Sequence, residues 1–233
     1  MTAPALARVE EGTALFENTL DGIGDADLDE PSALPGWRRR EVVAHVACNA
    51  DALVNLLGWA RTGVENPMYS SPRQRTADIE AGAALPAGDL RAKLAVANAR
   101  LARELAAMPA AAWGAEVRTA RGRAVPASEV VWMRTREVWV HTADLGAGVS
   151  LRGFPADLLR ALAADAVAGL SGNAEVPLVT LTTTDTGDRF ELGMRESSPP
   201  VATVPVHGEL AEVTAYLLGR PSVVAGPPLP GWL

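Results

Sequence analysis

Trp132-Met133-Arg134-Thr135-Arg136-Glu137-Val138-Trp139-Val140-His141-Thr142-Ala143-Asp144-Leu145 is the stretch on which the fold turns. It contains no glycine or proline. With the residues before it, from about Ala127, it reads as one helix whose buried stripe includes Val130, Met133 or Arg134, Val140 or His141, and Leu145. Glu137 and His141 are four residues apart, so they project from one face, one turn apart, on or beside that stripe. A carboxylate buried there needs a cation, a strong hydrogen-bond set or a metal.

The same helical period recurs upstream. Residues 4–20 carry Leu6, Val9, Ala14, Leu15 and Leu20, and residues 38–60 carry Val42, Val46, Leu53 and Leu57 at three- and four-residue steps. A further helix is predicted from Gly88 to Met108, with Leu90, Leu94, Ala97, Leu101 and Leu105 on one face. Pro31, Pro35 and Gly36 interrupt between the first two helices, and Thr62–Arg75 reads as a long loop rich in Gly, Pro and Ser. Four helices of this length with short or medium links predict a four-helix bundle.

Downstream the character changes near Gly146, Gly148, Gly153 and Pro155. One more helix (156–170) leads into β-like text: Leu178–Thr184, a turn at Thr186-Gly187-Asp188, Arg189–Leu192, and a third strand from Val201 to Val206. A helix from Gly208 to Leu218 stops at Gly219 and Pro221. The fold class is therefore α+β, with a helical bundle over 1–150 and a smaller α/β domain over 151–233.

His45 sits between Val42 and Val46, in line with Asn49 and Leu53, and so points inward like Glu137 and His141. Two imidazoles and one carboxylate on facing helices form a typical catalytic zinc set with an open fourth position. Taken alone, the trio reads equally well as satisfied core hydrogen bonds. Asp144, three residues after His141, either orients an imidazole from behind or is a surface residue near the helix end. His207 precedes a glycine and reads as a turn residue.

Composition narrows the classes. The chain has 233 residues, a formal charge of −7, and 48% hydrophobic residues, enough for a sizeable core without staples. An acidic chain lacks the clustered cations that displace counterions from nucleic acid. The one basic run, Arg38-Arg39-Arg40, reads as a solvated first helical turn. Cys48 is the only cysteine, so no disulfide can form within the chain, and it reads as a small core thiol. No signal-peptide core or membrane-length apolar run is present, which predicts a cytoplasmic protein with neither membrane nor nucleic-acid partner.

Several motifs then carry a resemblance. Leu34-Pro35-Gly36-Trp37, Val43-Ala44-His45-Val46-Ala47, Asn49–Leu53, Asn66-Pro67-Met68-Tyr69, Arg75–Gly82 and Arg136–His141 resemble the N-terminal, DinB-like domain of mycothiol-dependent maleylpyruvate isomerases. Val206–Leu210 and Leu217–Pro221 are similar to that family's C-terminal module, itself like sterol-carrier α/β domains. The resemblance covers nearly the whole chain, in order. Lys93 as the only lysine beside so many arginines reflects a GC-rich genome, which fits an actinobacterial source.

The resemblance implies zinc held by His45, Glu137 and His141, mycothiol as thiol cofactor, and an unsaturated keto-diacid substrate. It implies that Arg220 binds substrate carboxylates; the alternative for Arg220 is a cation complementing a helix C-terminus. Arg75 lies in a family-like motif on the long loop and joins Arg220 and Asp144 as a candidate catalytic residue. In the implied reaction a thiolate adds to the cis double bond of maleylpyruvate, the bond rotates, and elimination leaves fumarylpyruvate. Two other readings remain: a mycothiol S-transferase that keeps the adduct, and a non-enzymatic metal- or ligand-binding protein.

Overall fold

The computed structural model describes residues 2–171, 173, 175–193 and 203–231, which divide into two compact units, Met1–Val149 and Ser150–Leu233. The first unit contains α1 (Ala3–Asp21), α2 (Arg39–Thr62), α3 (Pro72–Ala83), α4 (Ala87–Ala106) and α5 (Glu129–Asp144). A short hairpin, β1 (Glu116–Arg118) and β2 (Ala124–Pro126), precedes α5.

α2 is the axis of the bundle. It packs against α3, α4 and α5, while α1 packs against α5. Its apolar residues are not confined to one stripe: Val42–Ala50, Ala52–Val54, Leu56, Leu57 and Ala60 are all buried. Each large apolar side chain so covered contributes about 1.5–3 kcal/mol. The helix is long and apolar enough to cross a membrane by composition, but 78% of its most apolar window is buried in the protein, which is the signature of a core helix. It starts with the Glu41 carboxylate accepting from the Arg38 backbone N–H at 2.8 Å and ends at Gly63, whose φ of +72° supplies the left-handed stop.

α1 approaches α5 closely because Gly12 has no side chain; a Cβ there would meet the Trp139 indole and would lie 2.6 Å from Val138 Cγ2. The Trp139 indole N–H in turn donates to Arg8 O at 2.9 Å. Where α5 ends, Arg39 donates to the carbonyls of Leu145 (2.9 Å) and Gly146 (3.3 Å). Arg40 donates to Ala83 O at the end of α3 at 2.6 Å. Arg39 and Arg40 are thus clamps on helix ends, where they complement the negative pole of each helix. Arg38 is the solvated first-turn residue that composition indicated, paired with Asp29 and Glu41.

A second correction concerns Thr62–Arg75. The loop is shorter than expected, because α3 starts at Pro72 with Ser71 as its cap, the Ser71 hydroxyl accepting from Gln74 N–H at 3.0 Å. Arg75 therefore stands on a helix.

The second unit holds α6 (Ala156–Leu170), β3 (Val179–Thr183), β4 (Arg189–Leu192), β5 (Val204–Gly208) and α7 (Leu210–Leu217). β3 is the central strand, antiparallel to β4 and parallel to β5, with Leu181 opposite both Phe190 and Val206. α6 and α7 pack on each other and against the sheet. The expected third strand began at Val201; residues 201 and 202 lie outside the described residues, and β5 itself runs to Gly208. His207 is an exposed member of β5 opposite Thr182, and not a turn residue.

Candidate metal centre

α2 and α5 cross so that His45 meets Glu137 and His141. His45 Nε2 lies 2.8 Å from Glu137 Oε2, and His141 Nε2 lies 3.2 Å from the same oxygen. The two rings stand edge to face, 4.8 Å between centroids. One donor atom from each of the three residues lies within 4.8 Å of the other two, so the group can hold a metal ion. The donor chemistry fits a divalent ion that takes imidazole and carboxylate, and three ligands leave room for a fourth.

The centre is almost closed to solvent: the side chains of His45, Glu137 and His141 are 6%, 12% and 6% exposed. Burial by itself would raise the Glu137 carboxyl. The charge and hydrogen bonds of His45 and His141 reverse this and hold it well below the usual carboxylate range. Burial pushes His45 down, and Glu137 only partly offsets it. His141 moves the other way. Although burial opposes its charge, hydrogen bonds to Asp144 and then Glu137 lift it to about 9.

Asp144 is buried, 1% exposed, and its Oδ2 lies 2.8 Å from His141 Nδ1. That bond places the proton on Nδ1 and turns Nε2 toward Glu137. The position depends on the end of α5: Asp144 O accepts from Ala33 N–H at 2.8 Å, which ties the terminal turn to the segment before α2. Trp37, from that same segment, stands edge-on to His45 at 5.7 Å.

Arg75 reaches the centre from α3. Its Nη2 is 3.4 Å from His45 Nδ1, and its guanidinium carbon lies 6.0 Å from the centre of the Tyr69 ring. Burial pushes the Tyr69 phenol up to about 12. The fold thus brings together His45, Glu137, His141, Asp144 and Arg75. Arg220 belongs to the second unit, just beyond α7, where it donates to Leu218 O at 2.7 Å. Cys48 is buried, and burial raises its thiol above the ordinary value.

The sequence left two roles unassigned, that of Tyr69 and that of Arg134, which it offered only as an alternative to Met133 on the buried stripe. Tyr69 was noticed only as part of a motif. Arg134, one turn before Glu137, is wholly buried and donates to Val46 O and Asn49 Oδ1 at 2.9 Å and to Asn98 Oδ1 at 2.5 Å. Burial lowers its pKa to about 10, so it stays charged and locks α5 to α2 and α4. Its helical register beside Val130 and Val138 was the available signal.

Fold and site together define a DinB-like helical bundle with a buried two-histidine, one-carboxylate centre, joined to a small α/β unit. The family model of the mycothiol maleylpyruvate isomerase N-terminal domain matches residues 9–146. Two crystal structures, of a mycothiol-dependent maleylpyruvate isomerase and of a histidine-to-alanine mutant of it, are each 36% identical to the chain. Each match covers 98% of this chain and 96% of the other, with a TM-score of 0.92. No curated protein matches. The chain belongs to the mycothiol-dependent maleylpyruvate isomerase family and is an enzyme of that family.

Proposed function

We propose that the protein is a zinc- and mycothiol-dependent cis–trans isomerase that converts maleylpyruvate to fumarylpyruvate. The observation that carries this reading is the buried His45–Glu137–His141 cluster in a chain 36% identical, over 98% of its length, to a mycothiol-dependent maleylpyruvate isomerase. In this reading His45 and His141, through Nε2, and Glu137, through its carboxylate, are the zinc ligands. Zinc at this site supplies the means to keep a thiol deprotonated at neutral pH.

The chain's own groups account for the rest. Asp144 holds the Nδ1 proton of His141, which leaves Nε2 free to ligate and keeps the ring from turning. Glu137 brings a permanent negative charge that offsets a divalent cation in a nearly dry site. Arg75, beside His45, is proposed to bind a carboxylate of the keto-diacid, a task for which a planar guanidinium suits better than an ammonium. Arg220, in the second unit, is assigned to the substrate carboxylates by the resemblance of Leu217–Pro221 to the family alone. Cys48 is buried with its thiol pushed up, which favours a soluble thiol over a protein nucleophile. Isomerisation is redox-neutral, so the reaction calls for no hydride or electron carrier. A reduced thiol cofactor and a single buried cysteine fit a cytoplasmic location.

The test is ultraviolet-monitored conversion of maleylpyruvate by zinc-loaded protein with and without mycothiol, beside His45→Ala. Mycothiol-dependent formation of fumarylpyruvate that disappears in the variant is the expected result. A stable thioether adduct would replace isomerisation by S-transfer. No reaction with an intact metal centre would refute both.

A further inference from the structure

The two histidines of the centre differ in what faces their outward nitrogens. His141 Nδ1 meets an acceptor, the Asp144 carboxylate at 2.8 Å. His45 Nδ1 meets a donor, the Arg75 guanidinium at 3.4 Å. A guanidinium has five N–H donors and no acceptor. The Arg75–His45 contact is therefore a hydrogen bond only while His45 carries its proton on Nε2, the nitrogen that donates to Glu137 Oε2 at 2.8 Å. A neutral imidazole that ligates a metal through Nε2 carries its proton on Nδ1. Arg75 and His45 then present N–H against N–H.

We infer that Arg75 is a metal-linked carboxylate clamp: ligation of His45 through Nε2 breaks its bond to Arg75, and the freed guanidinium is offered to a carboxylate of the bound diacid. This rests on the reading of His45, Glu137 and His141 as metal ligands. The Tyr69 ring supplies the wall against which the freed group stays, since the guanidinium already lies over its face at 6.0 Å, within cation–π range. The position of Arg75 on α3 limits how far it can retreat. Ser71 caps that helix and Arg40 holds its far end through Ala83 O. The clamp thus forms next to the centre when the centre is loaded, and diacid binding and metal binding become mutually favourable.

By reciprocity, a dicarboxylate must raise metal affinity by the same factor by which the metal raises dicarboxylate affinity. The probes are zinc, titrated against a chromophoric chelator, and maleate, a cis dicarboxylate, titrated by calorimetry. Both are applied to the wild-type chain, Arg75→Gln and Arg75→Lys, each first checked for an unchanged melting profile. In Arg75→Gln, zinc affinity without maleate should rise several-fold, because no donor competes for His45 Nδ1. Maleate affinity of the zinc-loaded form should fall roughly tenfold or more, the size of a lost charge-assisted pair. Arg75→Lys should recover part of the maleate affinity without the planar fork. The 15N resonances of the His45 ring should report the proton moving from Nε2 to Nδ1 when zinc is added.

Zinc affinity unchanged or weaker in Arg75→Gln, or zinc–maleate coupling equal in all three proteins, would overturn the inference. These are binding measurements, so they separate from the functional reading. Intact coupling with no maleylpyruvate turnover would sink the isomerase alone, and turnover without coupling would sink the clamp alone.

Discussion

Metal uptake should release a proton, and the structure says which one. Of the three proposed ligands, the Glu137 carboxyl is held well below the ordinary carboxylate range and is ionised at neutral pH, while His45 is pushed below its ordinary value and is neutral. His141 is different: Asp144 and Glu137 hold it at about 9, so at pH 7 it carries two ring protons. Asp144 keeps the one on Nδ1. A metal must displace the one on Nε2. Two pH units below its pKa, that displacement weakens apparent affinity about 100-fold, or about 2.7 kcal/mol, relative to alkaline solution. Zinc titrations in buffers of differing ionisation enthalpy would read the number of protons released. It should be close to one at pH 7 and decline toward zero as pH rises past about 9, with affinity rising about tenfold per unit between. In Asp144→Asn the count at pH 7 should fall, because the first partner that holds the charge is gone. Metal affinity should also drop about 10–100-fold through loss of ring orientation. A count near zero at pH 7 in the wild-type protein would refute the reasoning. In chelated protein the same group sets stability. Its pKa is raised above 6.5, so its stabilising contribution is complete below about 6.5 and is lost as pH rises through about 9.

Arg134→Met should destabilise the protein by about 3 kcal/mol, because Val46 O, Asn49 and Asn98 each lose a buried donor; chemical denaturation of the variant measures it. Gly12→Ala should cost about 1–3 kcal/mol by forcing α1 away from Val138 and Trp139, and a melting temperature equal to wild type would contradict the packing. Ser71→Ala removes the cap of α3 and should cost about 1 kcal/mol, read by denaturation.

How much of this was legible depends on the element. α4 buries a single apolar stripe that imposes a 3.6-residue period on the sequence, whereas α2 and α5 are buried on most sides and were legible from their long apolar runs. α3 buries only Ile79, Gly82 and Ala83, too little to show a period, and its start was signalled only by Ser71-Pro72. The hairpin β1–β2 has strands of three residues, each with a single buried valine, and leaves almost no pattern. At the centre, the four-residue spacing of Glu137 and His141 and the inward register of His45 were readable because a helix carries its own geometry. Asp144 was ambiguous: a carboxylate at a helix end is exposed unless the fold encloses it, and here it is buried with the end of its helix tied to Ala33 through the backbone.

The sequence by itself determined where the long helices run and that His45, Glu137 and His141 were available as inward donors, although on α1 it misplaced the stripe: Ala14 is exposed, while Phe16 and Gly12 are buried. Periodicity is a local property, set by backbone geometry within a few residues. Only the tertiary structure decided that α2 and α5 bring those donors within 4.8 Å of one another. It also decided that Arg134 is buried as a tie between helices and that Arg75 arrives beside His45 from α3. Those outcomes depend on how separate helices cross, which is fixed by packing and hydrogen bonding between residues far apart in the chain and leaves no short-range trace to read.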